Sequence, residues 1–269
     1  MNNKKIGLAL SGGAAKGLAH IGVLQVLAEH KVPIGFISGC SMGAIVGSAY
    51  CAGADLYMLA RLVASMDNKS FFDVGIHKKG LIKGEKFEEL IRMFTRGKNI
   101  EDFDIPFAAV ACDLHNGRLK TFRTGPAYQA VRASISIPAM FVPYEIDGRQ
   151  YVDGGVIERV PVDACKSLGA DTVIAVDVGY MGQETESSKS IFEVVAHVLE
   201  IMQWEISKER LSGADLTIAP DVANIRPYSN AQTAECVELG RQATLEVLPR
   251  ILELINNAEF KVQNAELVG

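Results

Sequence analysis

The amino-acid sequence predicts an α/β fold: a three-layer α/β/α sandwich with a mostly parallel central sheet. Two observations carry this. Short apolar runs alternate along the chain with longer segments of helical periodicity, and that alternation is the signature of a parallel sheet covered on both faces. The chain also has 269 residues, 48% apolar and 22% charged, an ordinary globular composition with enough length for a large core. No repeat or low-complexity segment interrupts it, so a single domain over residues 1–269 is expected.

The elements follow in order. Lys5–Leu10 reads as a buried strand that stops at glycines. Apolar residues then recur at helical spacing from Lys16 to Glu29, and Pro33 closes that helix. Ile34–Gly39 is a second strand and Met42–Cys51 a helix of small residues. Asp55–Met66 and Glu85–Thr95 continue the helical pattern. Pro106–Asp113 and Arg118–Phe122 read as strands joined through Asn116-Gly117, a strong turn pair. Phe141–Ile146 and Gln150–Val152 form another hairpin around Asp147-Gly148. Asp171–Val178 is a buried strand and Leu216–Ala219 a short one. Gly179–Ser190 is a patternless polar loop. Two long helices, Ser190–Leu211 and Thr233–Ile255, complete the chain.

Composition excludes several functions. The net charge is -5 and no basic stripe is present, so no nucleic-acid partner is expected. The five cysteines Cys40, Cys51, Cys112, Cys165 and Cys236 are scattered, without a CxxC pair. They read as buried free thiols in a reducing compartment, with no metal site and no cofactor. The apolar run Ile6–Leu10 is too short for a secretion signal, which needs at least ~7 residues. No stretch approaches the ~18 apolar residues of a membrane span. A cytoplasmic protein is expected, with peripheral membrane contact left open.

Two junctions carry chemistry. Between the first strand and helix lies Ser11-Gly12-Gly13-Ala14-Ala15-Lys16-Gly17. Glycines there let backbone amides face an anion at a helix start. Three readings fit: a dinucleotide site, an oxyanion hole, or a tight turn with no ligand. The dinucleotide reading suffers because Ala14 occupies the middle glycine position of G-x-G-x-x-G. It also lacks the acidic residue expected ~20 positions on. Between the second strand and helix lies Gly39-Cys40-Ser41-Met42-Gly43, a G-x-S-x-G nucleophile elbow, or else a plain helix N-cap serine. Among the histidines, His197 can be paired with Asp177 only loosely as a base for Ser41, and packing suits it better. Asp153, in Tyr151-Val152-Asp153-Gly154-Gly155, ends a strand beside a loop. A carboxylate there can act as base when burial tunes it.

In order along the chain stand Gly12–Gly17, Gly39–Gly43, Arg132-Ala133-Ser134-Ile135-Ser136-Ile137-Pro138 and Asp153–Gly155. As a set they resemble the patatin-like phospholipases, in particular small bacterial members, over roughly Lys5 to Val178. His20-Ile21-Gly22-Val23-Leu24 and Gly80-Leu81-Ile82-Lys83-Gly84 strengthen the likeness. The resemblance implies a patatin-like fold and a Ser-Asp dyad, with Ser41 as nucleophile and Asp153 as its base. It implies amides of Gly12, Gly13 and Ala14 as oxyanion donors, and Gly17, Gly39, Gly43, Gly154 and Gly155 as motif positions. It makes Lys16 a basic motif residue, where position alone suggests a solvated first-turn side chain. The implied substrate is a lipid or other acyl ester.

Three positions depart from the family pattern. Ala14 replaces a glycine, Cys40 a threonine, and Val156-Ile157-Glu158-Arg159-Val160-Pro161 lacks the asparagine usual before the proline. Glu158 either perturbs Asp153 or pairs with Arg159 at the surface. That segment keeps a second reading alive, a catalytically weak or inactive regulatory or lipid-binding protein. Basic and apolar residues mix over Lys69–Lys86, as in a lid that meets anionic headgroups or in a solvated loop. Ile137–Tyr144 either lines an acyl pocket or packs under the sheet.

Overall fold

The computed structural model describes residues 6–66, 74–77, 80–179, 181–182, 190–227 and 229–266. In chain order it contains β1 (Ile6–Leu10), a 3-10 turn (Ala14–Leu18), α1 (Ala19–Glu29), β2 (Ile34–Cys40), α2 (Met42–Cys51) and α3 (Leu56–Ser65). There follow β3 (Val74–His77), β4 (Gly80–Ile82), α4 (Glu85–Phe94), β5 (Phe107–Asp113), β6 (Arg118–Phe122) and α5 (Ala127–Ser134). Then come β7 (Tyr144–Ile146), β8 (Arg149–Asp153), α6 (Val162–Lys166), β9 (Thr172–Val176), α7 (Ile191–Leu211), β10 (Leu216–Ile218) and α8 (Thr233–Glu266).

The main sheet runs β10-β9-β1-β2-β5-β8-β7, with β6 also on β5. From β10 to β5 every pairing is parallel, while β6, β7 and β8 join antiparallel. β1 is buried along its whole length, as is β5, which accounts for their unbroken apolar sequences. The α/β class and mostly parallel sheet expected from the alternation are therefore present.

β5 solves a topological problem for the site. Its residues Ala109 and Val110 pair with both β2 and β6, and its residues Ala111–Asp113 with both β6 and β8. β6 thus holds one edge, and β2 and β8 share the other. β2 ends at Cys40, opposite Val110, and β8 ends at Asp153, opposite Ala111. Two strands arriving from opposite directions stop tip to tip on consecutive β5 residues.

Local chemistry sets the element ends. Asp55 caps α3, its carboxylate accepting from the Met58 amide at 2.7 Å, and Ser190 caps α7 through the Glu193 amide at 3.2 Å; both satisfy otherwise orphaned donors. Asp147 and Gly148 have φ of 50° and 73°, the two left-handed residues of a two-residue hairpin turn. α1 and α8 cross with backbones touching. A Cβ on Gly22 would overlap the Val237 carbonyl, and one on Gly240 the Ala19 carbonyl.

Several expectations shift. The first helix begins at Ala19, after the 3-10 turn, rather than at Lys16. Strand β7 is shorter than Phe141–Ile146, and helices α5 and α6 were not expected. Much of the basic segment 69–86 and most of the loop 179–190 lie outside the described residues; within the former, β3 and β4 pair as a small antiparallel hairpin. The five cysteines are free and buried. Among the described residues, no helix is long and apolar enough to cross a membrane.

Candidate active site

Ser41 occupies the sharp junction of β2 and α2 with φ 51° and ψ -121°. A non-glycine residue at positive φ costs about 1–3 kcal/mol and persists only when its surroundings impose it. Here they do. The Ser41 amide donates to the Ser134 hydroxyl at 2.9 Å. Gly43 presses so close that a Cβ would overlap the Leu10 carbonyl, and Gly39 faces the Gly43 carbonyl in the same way. The Ser41 hydroxyl makes no cap bond to α2, which removes the plain N-cap reading. The Ser41 side chain lies beside the Asp153 carboxyl and lowers that group's proton affinity.

Asp153 is 4% exposed. Its Oδ1 accepts from the Gly155 amide at 2.7 Å and from the Cys40 thiol at 3.5 Å. Burial raises the proton affinity of this carboxyl, and neighbouring Ser41, the Gly155 amide and the Cys40 thiol oppose that rise. The Asp153 amide donates to the Ser136 carbonyl at 2.9 Å. Ser134 and Ser136 therefore fix the backbones of both residues. Arg132 holds that segment, donating to the Ser136 hydroxyl at 2.7 Å and to the Lys83 carbonyl. The sequence marked Arg132–Pro138 as a motif without revealing this task, because the bonds join residues far apart in the chain.

The glycine-rich turn lies beside Ser41. The Gly12 amide donates to the Arg159 carbonyl at 3.0 Å, so Gly12 is corrected from oxyanion donor to structural link. Its α-carbon still approaches Ser41, since a Cβ there would lie 3.3 Å from that of Ser41. Gly13 and Ala14 open the 3-10 turn, where the first amides have no intrahelical acceptor. Ala14 has a positive φ of 47°. Gly17 lies against the Met42 side chain and Gly154 against the Val110 carbonyl. Below the turn, His20 gives its Nε2 proton to the Ser11 carbonyl at 2.9 Å. Burial pushes its pKa down to about 4, so the ring is neutral and supports the loop.

The other sequence candidates resolve differently. Lys16 is 7% exposed, so it is no solvated first-turn residue. Asp177 is committed to Arg159 at 2.7 Å and to the Gly179 amide at 3.0 Å, which takes it away from His197. His197 faces Glu200 one turn along α7, at 3.6 Å. Glu158 and Arg159 are both buried and form no surface pair. Glu158 accepts from the Asp163 amide at 3.2 Å and faces Arg210 at 3.5 Å. Burial raises its pKa to about 7, with the Arg210 charge opposing.

Ser41 opens onto two clefts of opposite character. One is walled by Met42, Ile45, Phe87, Ile135, Met140 and Phe141 among others, so Ile137–Tyr144 does contribute to a pocket wall. The other brings Asp153 together with Gly13, Lys16, Arg159, Glu200 and Gln203. A serine near a buried carboxyl, the opening residues of a 3-10 turn, and two clefts that both include the serine can accommodate acyl transfer.

The patatin-like phospholipase profile matches residues 8–166, more than half of the chain, and the chain belongs to that family. An uncharacterised NTE family protein of Mycobacterium bovis is 38% identical over 180 residues, covering 66% of this chain and 50% of its own length. A lysophospholipase NTE1 of Cryptococcus neoformans var. neoformans is 35% identical over 182 residues, 65% of this chain and 11% of the fungal protein. The chain thus spans half or less of these relatives. In fold it is similar to VipD from Legionella pneumophila, with TM-score 0.65 and 14% identity over 93% of this chain and 67% of the other. ExoU from Pseudomonas aeruginosa gives TM-score 0.51 and 17% identity over 93% of this chain and 53% of the other.

Proposed function

We propose that the protein is a serine lipid acyl hydrolase of the phospholipase or lysophospholipase type, working through a Ser41-Asp153 dyad without a cofactor. The observation that carries this reading is the meeting of β2 and β8 on β5, which puts Ser41 and the buried Asp153 carboxyl in one cleft. Membership in a phospholipase family and the lysophospholipase name of the fungal relative support the choice of a lipid substrate.

In this reading ionised Asp153 accepts the Ser41 proton as Oγ attacks the acyl carbonyl. The negative charge that forms on the carbonyl oxygen is held by the Gly13 and Ala14 amides. Such preorganised donors are worth about 3 kcal/mol each to the barrier. When the carbonyl re-forms, the ester C–O bond breaks and Asp153 returns its proton to the leaving alcohol. Water, deprotonated by the same carboxylate, then releases the fatty acid from Ser41. The acyl chain occupies the apolar cleft and the alcohol portion the cleft of Lys16 and Arg159. Substrate is met from the aqueous side, in the cytoplasm or at a membrane surface.

A fluorophosphonate probe tests the nucleophile directly. Wild type labels at Ser41, Asp153→Asn labels at least about 100-fold more slowly, and Ser41→Ala does not label. A folded wild-type protein that resists the probe supports instead a non-catalytic lipid-binding role.

A further inference from the structure

Cys40 is the last residue of β2 and stands directly before Ser41. Its surroundings follow from the sheet. Cys40 pairs with Val110 of β5, while Asp153, the last residue of β8, pairs with Ala111. The two strand tips bring a thiol against a carboxyl 113 residues away in the chain, with Sγ 3.5 Å from Asp153 Oδ1. The remaining neighbours of Cys40 are apolar or small. Val110 and Ala164 pack against it, and a Cβ on Gly12 would lie 3.6 Å from its sulfur. The side chain is fully buried.

Burial, and the Asp153 carboxyl beside it, push the proton affinity of this thiol well above the ordinary cysteine range. Cys40 is therefore no thiolate nucleophile. It keeps its proton, and an ionised carboxylate offers acceptors only, so the bond runs from Cys40 to Asp153. The Gly155 amide donates to the same Oδ1 at 2.7 Å. Two donors from different segments on one oxygen fix how the carboxyl group is turned, and both favour its ionised form.

We propose that Cys40 is a positioning residue for the Ser41-Asp153 pair: its thiol, together with the Gly155 amide, holds Asp153 turned and ionised as the base for Ser41. This rests on the acyl-hydrolase reading, to which it adds a residue that touches no substrate and acts through Asp153. Charged groups also approach the pair: Lys16 from the 3-10 turn, Glu158 and Arg159 from the segment after β8, and Glu200 from α7. Substitutions at Cys40 alter none of them, so a change in the titration of Asp153 reports the thiol.

Cys40→Val and Cys40→Thr share a shape and differ in one donor. The carboxyl-carbon NMR signal that Asp153→Asn removes is followed against pH in wild type and in both variants. On the same proteins kcat/KM is measured for p-nitrophenyl butyrate. Valine withdraws the donor, so the Asp153 pKa rises by about one unit, the size of one hydrogen bond to a charged group. The acid limb of kcat/KM moves up with it. Threonine keeps a donor and leaves both within about half a unit of wild type. Cys40→Ala, smaller and also without a donor, shows the valine shift and stands in for valine if that variant does not fold by circular dichroism. No shift in a folded valine or alanine variant overturns the proposal, as does a threonine shift equal to that of valine. Absence of turnover in folded wild type, or turnover that survives Ser41→Ala, overturns the acyl-hydrolase reading instead, and the NMR comparison then judges the Cys40 contact by itself.

Discussion

Asp153 sits among groups that pull its proton affinity in opposite directions, and the balance suits a base. Burial favours the neutral acid, while three neighbours favour the carboxylate. Two further buried groups, Glu158 and His20, make stability depend on pH with opposite signs. Glu158 has its pKa raised from 4.5 to about 7, so between those values the folded state binds the proton that the unfolded chain has released. Stability attributable to Glu158 therefore falls as pH rises through this window. His20 has its pKa lowered from 6.5 to about 4, and its contribution rises with pH from about 4 to 6.5. Glu158→Gln should remove the falling component. Urea titrations are expected to show the variant gaining relative to wild type between pH 5 and pH 8, by up to about 3 kcal/mol. A stability difference that does not change with pH contradicts the assignment.

At the scale of elements, the site is made by the meeting of β2 and β8 on one edge of β5. The turn motifs were legible in the sequence because their constraints are local. Glycines at Gly39 and Gly43 announce a backbone too crowded for a Cβ, and Asp147-Gly148 announces a hairpin. The long buried strands were legible as apolar runs. What the sequence did not disclose is long-range. Nothing near Gly12 indicates that its amide is committed to Arg159, or that Arg159 turns inward to Asp177. Ser134 and Ser136 lie on a short helix and its end, where a buried Arg132 breaks the apolar pattern that would have marked the element. Lys16 reads as a surface lysine until α8 and the polar cleft enclose it. The crowding at the elbow is testable. Gly43→Ala places a methyl group in the Leu10 carbonyl, so β1 and α2 must separate. The expected cost is about 3 kcal/mol or more, read as a lowered Tm with loss of Ser41 labelling. A variant that melts with wild type and labels normally contradicts the close packing of this turn.

For the molecule as a whole, the two clefts would give the proposed reaction a direction, since Ser41 lines both. Residues of α2, α3 and α4 and of the segment after α5 wall the apolar cleft, and residues of α7 wall the polar one. A chain of net charge -5 is not drawn to anionic surfaces by its overall field, so selection of substrate falls to these clefts. The account depends on both being served by one hydroxyl. The most direct measurement is fatty acid released from a mixed lipid extract by wild type, Ser41→Ala and Asp153→Asn, each shown to be folded. The account predicts release by wild type, with no requirement for added metal, and loss of at least about 1,000-fold in either variant. Release by Ser41→Ala at a rate close to wild type contradicts it.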